Sequence, residues 1–349
     1  ILSQFTRDMV KAVPWRRFGS SRAVRVLKAL IYPRGSNAGI SFALPWSKRR
    51  ELDSQSAQKL ISSVEAFVFD LDGVIWIGNS LIDGVKKALS DLRSAGKSIS
   101  FATNNSMRTR AQVVARLKSM GLDWVEETNV FNAGNAAARL LESKGISKDK
   151  EIYVVGEAGL LDEVSARGYR TSGGPADTGK SLDDVPAALE RIDLDSIGAV
   201  VCGLDQHFNY YKLAIASYLV RNGCPLYASN MDLYFGKIGV SKQQFPAAGS
   251  ILAAVASAAG RQPPVPDALG GKPSLEFADQ VRQSLGCPYG KMVMVGDRLD
   301  MDIEFGNSAG MQTLFVLSGE MTRADLQSAR GQLVPDYVAE SVALLGFES

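Results

Sequence analysis

The chain has 349 residues, 46% hydrophobic and 22% charged, with a formal net charge of +2. This is a globular profile, long enough for one large domain or two ordinary ones, with no overall electrostatic bias toward acidic or basic partners. Three cysteines (Cys202, Cys224, Cys287) are too few and too scattered for a disulfide framework or a zinc site, and they fit a reducing compartment. The single histidine, His207, excludes a multi-histidine metal centre and any serine–histidine–aspartate mechanism that does not use it.

Along the chain, the first 62 residues stand apart, with twelve basic and only three acidic side chains. "ILSQFTRDMVKAV" and "RAVRVLKALIY" predict short basic amphipathic helices. The composition is that of an organellar targeting segment, without the apolar stretch of a secretory signal. A mitochondrial location is expected, with plastid or cytoplasm as alternatives. The segment is also expected to run outside the folded domain and dock on an organellar protein complex or a ribosome, with Trp15, Tyr32 or Trp46 as apolar anchors. No apolar run reaches the roughly 18 residues a membrane helix needs, so no transmembrane segment is predicted.

From Val64 the pattern alternates between strands and helices. "VEAFVFDL" reads as a buried parallel strand, and "IDGVKKALSDLRSAG" as a helix stopped at Gly96. "KSISFAT" is a second strand and "RTRAQVVARLKSMG" a second helix. "EIYVVG", "GAVVCG", "CPLYAS", "KMVMVGD" and "QTLFVL" continue the strand series, and "GRQPPVPDALGG" reads as a loop. Such alternation predicts an α/β fold with a Rossmann-like open parallel sheet.

Ligands in such sheets bind at the carboxyl edge of the strands. Four stretches fall there. "FDLDG" carries Asp70 and Asp72, "FATNNS" carries Thr103, Asn104 and Asn105, "GGKPS" carries Lys272 at a helix start, and "VGDRLDMD" carries Asp297, Asp300 and Asp302. Several carboxylates in one cleft repel one another unless a cation sits between them. Oxygen ligands without histidine or cysteine point to Mg²⁺. A lysine beside that ion, with hydroxyl and amide donors, suits a phosphoryl group. One carboxylate can attack phosphorus, and a second two residues on can serve as general acid and base. A turn at a strand end is the bland reading of "DLDG" alone, but four such stretches in order outweigh it.

These motifs resemble the haloacid dehalogenase superfamily of phosphohydrolases. They are most similar to its phosphoglycolate and p-nitrophenyl phosphatase branch, which has a large α/β cap. The resemblance rests on "FDLDGVIW", "FATNNSMRTR", "GGKPS", "VGDRLDMDIEFGNSAGMQTLFVLSG" and the stretches "IYVVGEAGL" and "VCGLDQHFNYYKL". It implies a core of residues 63–142 and 263–349 with a cap domain, 143–262, inserted between its halves, after the basic extension 1–62. It also implies a Mg²⁺-dependent phosphatase of small phosphorylated metabolites, of the phosphoglycolate type, acting through an aspartyl phosphate. By position, Asp70 matches the nucleophile and Asp72 the general acid/base, whose main-chain carbonyl also binds Mg²⁺. Asp70, Asp72 and Asp297 match the metal ligands, and Thr103, Asn104 and Lys272 the phosphate contacts. Asn105 is expected beside the site and Asp302 as an anchor behind the ligands. A homodimer through the cap is a further expectation.

The chain departs from the family pattern at Gln206, where Arg is usual, and in "SNMDLYFGKIGVSKQQFPAAGS". Both lie in the cap and bear on the substrate, not the chemistry. The alternative function is a same-fold accessory subunit of a large mitochondrial complex, docked by the N-terminal extension. Gly174 to Ser181, "GPADTGKS", has the spacing of a nucleotide-binding loop, but "RGYRTSG" before it is a poor strand and Pro186 follows too soon, so a plain cap loop is expected. His207, Tyr210 and Tyr211 read as packed or substrate-facing cap residues.

Overall fold

The computed structural model describes residues 50–238, 243–262 and 265–347. The basic stretch 1–49, with its two expected helices and the anchors Trp15, Tyr32 and Trp46, lies outside the described residues. The last part of the expected extension does not behave as one. β1 (Arg50–Glu51) joins the main sheet beside its last strand, and a helix, Ser54–Ser63, follows. Asp53 caps that helix, accepting from the Ser56 N–H at 2.7 Å. Leu52, Ala57, Leu60 and Ile61 are buried in the same apolar cluster as Phe67 and Leu345. The boundary at residue 62 is therefore too late, because apolar residues spaced along one helix face bury themselves against the sheet.

β2 (Ala66–Phe69) is buried at every position, as a central parallel strand should be. A tight hairpin follows, β3 (Trp76–Ile77) and β4 (Ser80–Leu81). Helix Val85–Ser94 leads to β5 (Ser98–Thr103), and helix Arg110–Ser119 to β6 (Val130–Asn132). Helix Ala133–Ser143 then lies between two layers: Ala136 packs with the main domain, whereas Leu140 and Leu141 pack with the next sheet.

The chain then builds a second parallel unit. Its strands are β7 (Glu151–Val155), β8 (Arg170–Gly173), β9 (Ile197–Cys202) and β10 (Leu226–Ala228). An antiparallel pair, β11 (Tyr234–Ile238) and β12 (Gln243–Pro246), stands beside them, and β13 (Ala268–Leu269) closes the unit. The sheet order is β13-β10-β9-β7-β8. Two readings need correction here. "RGYRTSG" does form a strand, at an edge where half-exposed polar residues are tolerated. "DALGG", read as loop and as the start of the returning core, first adds β13 to the cap sheet, so the cap extends past residue 262.

β14 (Met292–Gly296), β15 (Gln312–Val316) and β16 (Tyr337–Ala339) return to the main sheet. Its order is β1-β16-β15-β14-β2-β5-β6, with every pairing parallel. From β2 the chain proceeds outward through β5 and β6, and from β14 outward the other way. The β2–β14 junction is thus the topological switch point, where such sheets hold ligands. Both strands end there in an aspartate: Asp70 after β2 and Asp297 after β14. Among the described residues no helix is long and apolar enough to cross a membrane.

Candidate active site

Asp70 continues the ladder by one residue, its N–H donating to Val295 O at 2.9 Å. Its Oδ1 accepts from Lys272 Nζ at 2.7 Å, and Lys272 Nζ also donates to Asp302 Oδ1 at 2.6 Å. Lys272 is only 2% exposed and Asp302 1%. The lysine arrives from "GGKPS", where Gly271 leaves no room for a side chain: a Cβ would stand 2.6 Å from Asn104 Oδ1. Asn104 Oδ1 in turn accepts from the Lys272 N–H at 2.8 Å, and Asn104 Nδ2 donates to Lys272 O at 3.1 Å.

Asp297 completes the group. Its Oδ2 accepts from the Glu320 N–H at 2.6 Å, while its buried Oδ1 has no hydrogen-bond partner among the described residues. One carboxylate oxygen from each of Asp70, Asp297 and Asp302 lies within 4.8 Å of the other two. Gly73 and Gly319 make the space. A Cβ on Gly319 would fall 1.9 Å from Asp297 Oδ2, and one on Gly73 2.7 Å from the same atom; Gly73 also has φ of +81°, which glycine adopts without strain.

Burial and crowding set the electrostatics. Burial raises the Asp70 carboxyl above its ordinary range against the pull of Lys272. Asp297 is raised well above it, by burial and then by Asp302 and Asp70. Asp302 is pushed up to about 6 by burial and by Asp70, opposed by Lys272. Burial disfavours the Lys272 charge, but Asp302 and Asp70 outweigh it and raise that group. Three crowded carboxylates and one lysine are short of positive charge. An all-oxygen donor set with an orphaned buried oxygen is what a hard divalent cation requires, so Asp70 and Asp297 can hold such an ion, with Asp302 beside them.

The pocket over this cluster has a volume of about 490 Å³ and receives residues from both domains. Thr103 lines it, its Oγ1 accepting from the Asn105 N–H at 3.1 Å, which leaves the hydroxyl proton free to donate. Asn105 lines the pocket too, with its side-chain oxygen taken up by the Met107 N–H at 3.0 Å. The Asn104 side chain is occupied by Lys272 and by Asp232, so its main chain rather than its amide is left to meet a ligand in the pocket. Asp72 lines the pocket outside the carboxylate cluster; its Oδ1 accepts from the Trp76 indole N–H at 2.7 Å.

Sequence reasoning missed Asp232 and Arg298. Asp232, from the cap, accepts from Asn104 Nδ2 at 2.8 Å and from Arg298 Nη1 at 2.8 Å, tying the cap to the core beside the site. Arg298 also pairs with Asp300, at 3.3 Å, so Asp300 faces the arginine rather than the carboxylate cluster. The "SNMD" stretch had drawn notice only as a departure, and Arg298 only as a neighbour of Asp297. The remaining motifs stay structural. Lys180 of "GPADTGKS" is held by Asp177 at 2.7 Å, and Tyr211 is buried in the cap core whereas Tyr210 is exposed.

Comparison with known proteins agrees with this geometry. A family model described as haloacid dehalogenase-like hydrolase matches residues 67–170, and a HAD-hydrolase-like model matches 269–345. Phosphoglycolate phosphatase 2 of Arabidopsis thaliana is 39% identical over 294 residues, spanning 84% of this chain and 95% of the relative. The chloroplastic phosphoglycolate phosphatase 1A of the same plant is 38% identical over 83% of this chain and 78% of the relative. Among solved structures, the 4-nitrophenylphosphatase of Thermotoga maritima superposes with a TM-score of 0.69 at 30% identity, covering 82% of this chain and 98% of that one. A glycerol phosphate phosphatase of Mycobacterium tuberculosis, solved in complex with magnesium, gives 0.68 at 26% identity, covering 85% of this chain and 79% of that one. The chain therefore belongs to the haloacid dehalogenase-like hydrolases, in the branch of phosphoglycolate and 4-nitrophenyl phosphatases, and is a phosphoric monoester hydrolase.

Proposed function

We propose that the chain is a Mg²⁺-dependent phosphatase of small phosphorylated metabolites, of the phosphoglycolate type, working through an aspartyl phosphate on Asp70. The observation that carries this is the Asp70–Asp297–Asp302 cluster around Lys272, with Asp297 Oδ1 unpartnered, at the switch point of the sheet. The pocket's size suits a small metabolite. The phosphoglycolate and glycerol phosphate phosphatases among its relatives support that substrate class, and the magnesium complex supports the metal. The chloroplastic relative favours a plastid, one of the compartments the basic N-terminal composition suggested.

In this reading an Asp70 carboxylate oxygen attacks phosphorus, and the bond to the leaving oxygen breaks as Asp72 delivers its proton to that oxygen. Asp72, now ionised, takes a proton from water. The water oxygen attacks phosphorus, the bond to Asp70 breaks, and inorganic phosphate leaves with Asp70 restored. Lys272 offsets the charge of Asp70 and of the phosphoryl oxygens, and Asp302 holds Lys272 from the far side. Thr103 Oγ1–H and the main chain at Asn104 donate to the phosphate. Asp70, Asp297 and the Asp72 main-chain carbonyl would hold a Mg²⁺ ion, which would supply charge stabilisation for the transferring group. The cap, tied to the core through Asp232, limits the entry of bulk water.

The test is phosphate release from 2-phosphoglycolate and glycerol phosphate. Asp70→Asn should lower turnover more than about a thousandfold while the fold is kept, since an amide cannot act as the nucleophile. Retention of more than about a tenth of turnover would sink the assignment.

A further inference from the structure

Trp76 is nearly buried, at 2% exposure, yet its ring edge reaches the pocket lining. Its Nε1–H donates to Asp72 Oδ1 at 2.7 Å. The backbone closes the same short turn: Gly73 N donates to Trp76 O at 2.8 Å, and Trp76 N to Leu71 O at 3.1 Å. On the face of the ring lies the Arg116 guanidinium, 4.3 Å from the centroid. Arg116 also donates to Gly78 O and to Asn79 Oδ1, so it grips the hairpin that carries the tryptophan. The indole is thus fixed by burial, by a cation on its face and by the turn beneath it.

Asp72 needs such a fixture. It is exposed, and a free aspartate there would sample several rotamers. A donor on Oδ1 does two things. It holds the carboxyl plane in one orientation, and it decides where an acidic proton resides. The indole N–H is only a donor, so Oδ1 must remain an acceptor in both protonation states. A carbonyl oxygen accepts better than an acid hydroxyl, so the indole favours Oδ1 as the carbonyl and directs the proton of the neutral acid to Oδ2.

We propose that Trp76 is a positioning residue for proton transfer by Asp72, with Arg116 locking the ring in place. This rests on the reading of Asp72 as general acid and base. In the first step the Asp70 oxygen–phosphorus bond forms, the bond from phosphorus to the leaving oxygen breaks, and the proton on Asp72 Oδ2 passes to that oxygen. Without the indole N–H, the proton is as readily on Oδ1, and the carboxyl turns away from the leaving group.

The test is leaving-group dependence in Trp76→Phe, which keeps an aromatic ring and removes the donor. The parameter kcat/KM reports the steps up to expulsion of the leaving group, so the later hydrolysis does not mask the effect. For glycerol phosphate, whose alkoxide must be protonated, kcat/KM should fall roughly 10–100-fold, within the range general acid catalysis spans. For 4-nitrophenyl phosphate, whose phenolate leaves without a proton, it should change by less than about threefold. An equal loss on both substrates makes Trp76 a packing residue and overturns the proposal, as does no loss on either. If Trp76→Phe fails to fold, benzothienylalanine at position 76 keeps the bicyclic shape without the N–H, and the same two outcomes apply. Asp72→Asn separates the underlying reading: if it leaves glycerol phosphate hydrolysis intact, Asp72 is not the acid and the role of Trp76 falls with it.

Discussion

Replacing Asp297 by asparagine should stabilise the metal-free protein while destroying its response to Mg²⁺. Asparagine can keep the acceptor for the Glu320 N–H, and its amide nitrogen then takes the place of Oδ1, the buried oxygen with no partner. The charge removed faces Asp70 and Asp302 at separations up to 4.8 Å, with one lysine among them. At that distance two like charges repel by about 3.5 kcal/mol at an effective dielectric near 20. Lys272 cancels roughly one of the two repulsions, leaving about 3.5 kcal/mol. Burial and the two neighbouring carboxylates raise the Asp297 pKa, the mark of the unfavourable charge that the substitution removes, and relaxation of the cluster brings the expected gain to about 1–3 kcal/mol. For a protein of this size that is a rise in Tm of several degrees. The assay is thermal unfolding in EDTA near pH 8, repeated with excess Mg²⁺, which at a hundredfold excess over Kd adds about 2.7 kcal/mol to whatever binds it. The wild type should gain from Mg²⁺, whereas the Tm of the variant should barely move. A variant less stable than wild type in EDTA, or an equal Mg²⁺ shift in both, would refute the argument that Asp297 is an uncompensated charge kept for a cation.

Other outcomes follow from the same network. Lys272→Met removes the partner of a buried carboxylate, Asp302, and a largely buried one, Asp70, and should cost about 3–5 kcal/mol at neutral pH, read by urea unfolding, with loss of phosphate release. Because the folded-state pKa of Asp302 is raised to about 6, its contribution to stability is full below the ordinary carboxylate range and is lost as pH rises through about 6. In EDTA, the difference in urea midpoint between wild type and Asp302→Asn should therefore change in that window, and a flat difference would exclude the shift. Leu60→Ala, in the helix once read as part of the extension, should cost about 2–5 kcal/mol in unfolding free energy. A cost near zero would mean that residues 50–63 do not belong to the core.

Much of the site was legible because strand ends are local features. "AFVF" before Asp70 and "MVMVG" before Asp297 are buried runs whose termini must meet the carboxyl edge, whatever their neighbours. Thr103 and Lys272 are placed by the same rule, at a strand end and at a helix start. The short strands were not legible. Two- and three-residue segments such as Arg50–Glu51, Val130–Asn132, Ala268–Leu269 and Tyr337–Ala339 carry too little alternation to register, and they exist because a longer neighbour offers them a ladder.

The fold class, and which carboxylates, hydroxyl and lysine stand at the carboxyl edge of the sheet, could be read from the sequence alone. These follow from local periodicity and from the chemistry that several crowded carboxylates demand. Tertiary structure alone decided which of them touch. Lys272 meets Asp70 across 202 residues of chain, and Asp232 meets Asn104 across 128. That Asp302 grips the lysine, that Asp297 keeps one oxygen unpaired, and that an indole holds Asp72 depend on sheet order, register and side-chain packing. Those are set by the burial of the whole core, and no local stretch of sequence encodes them.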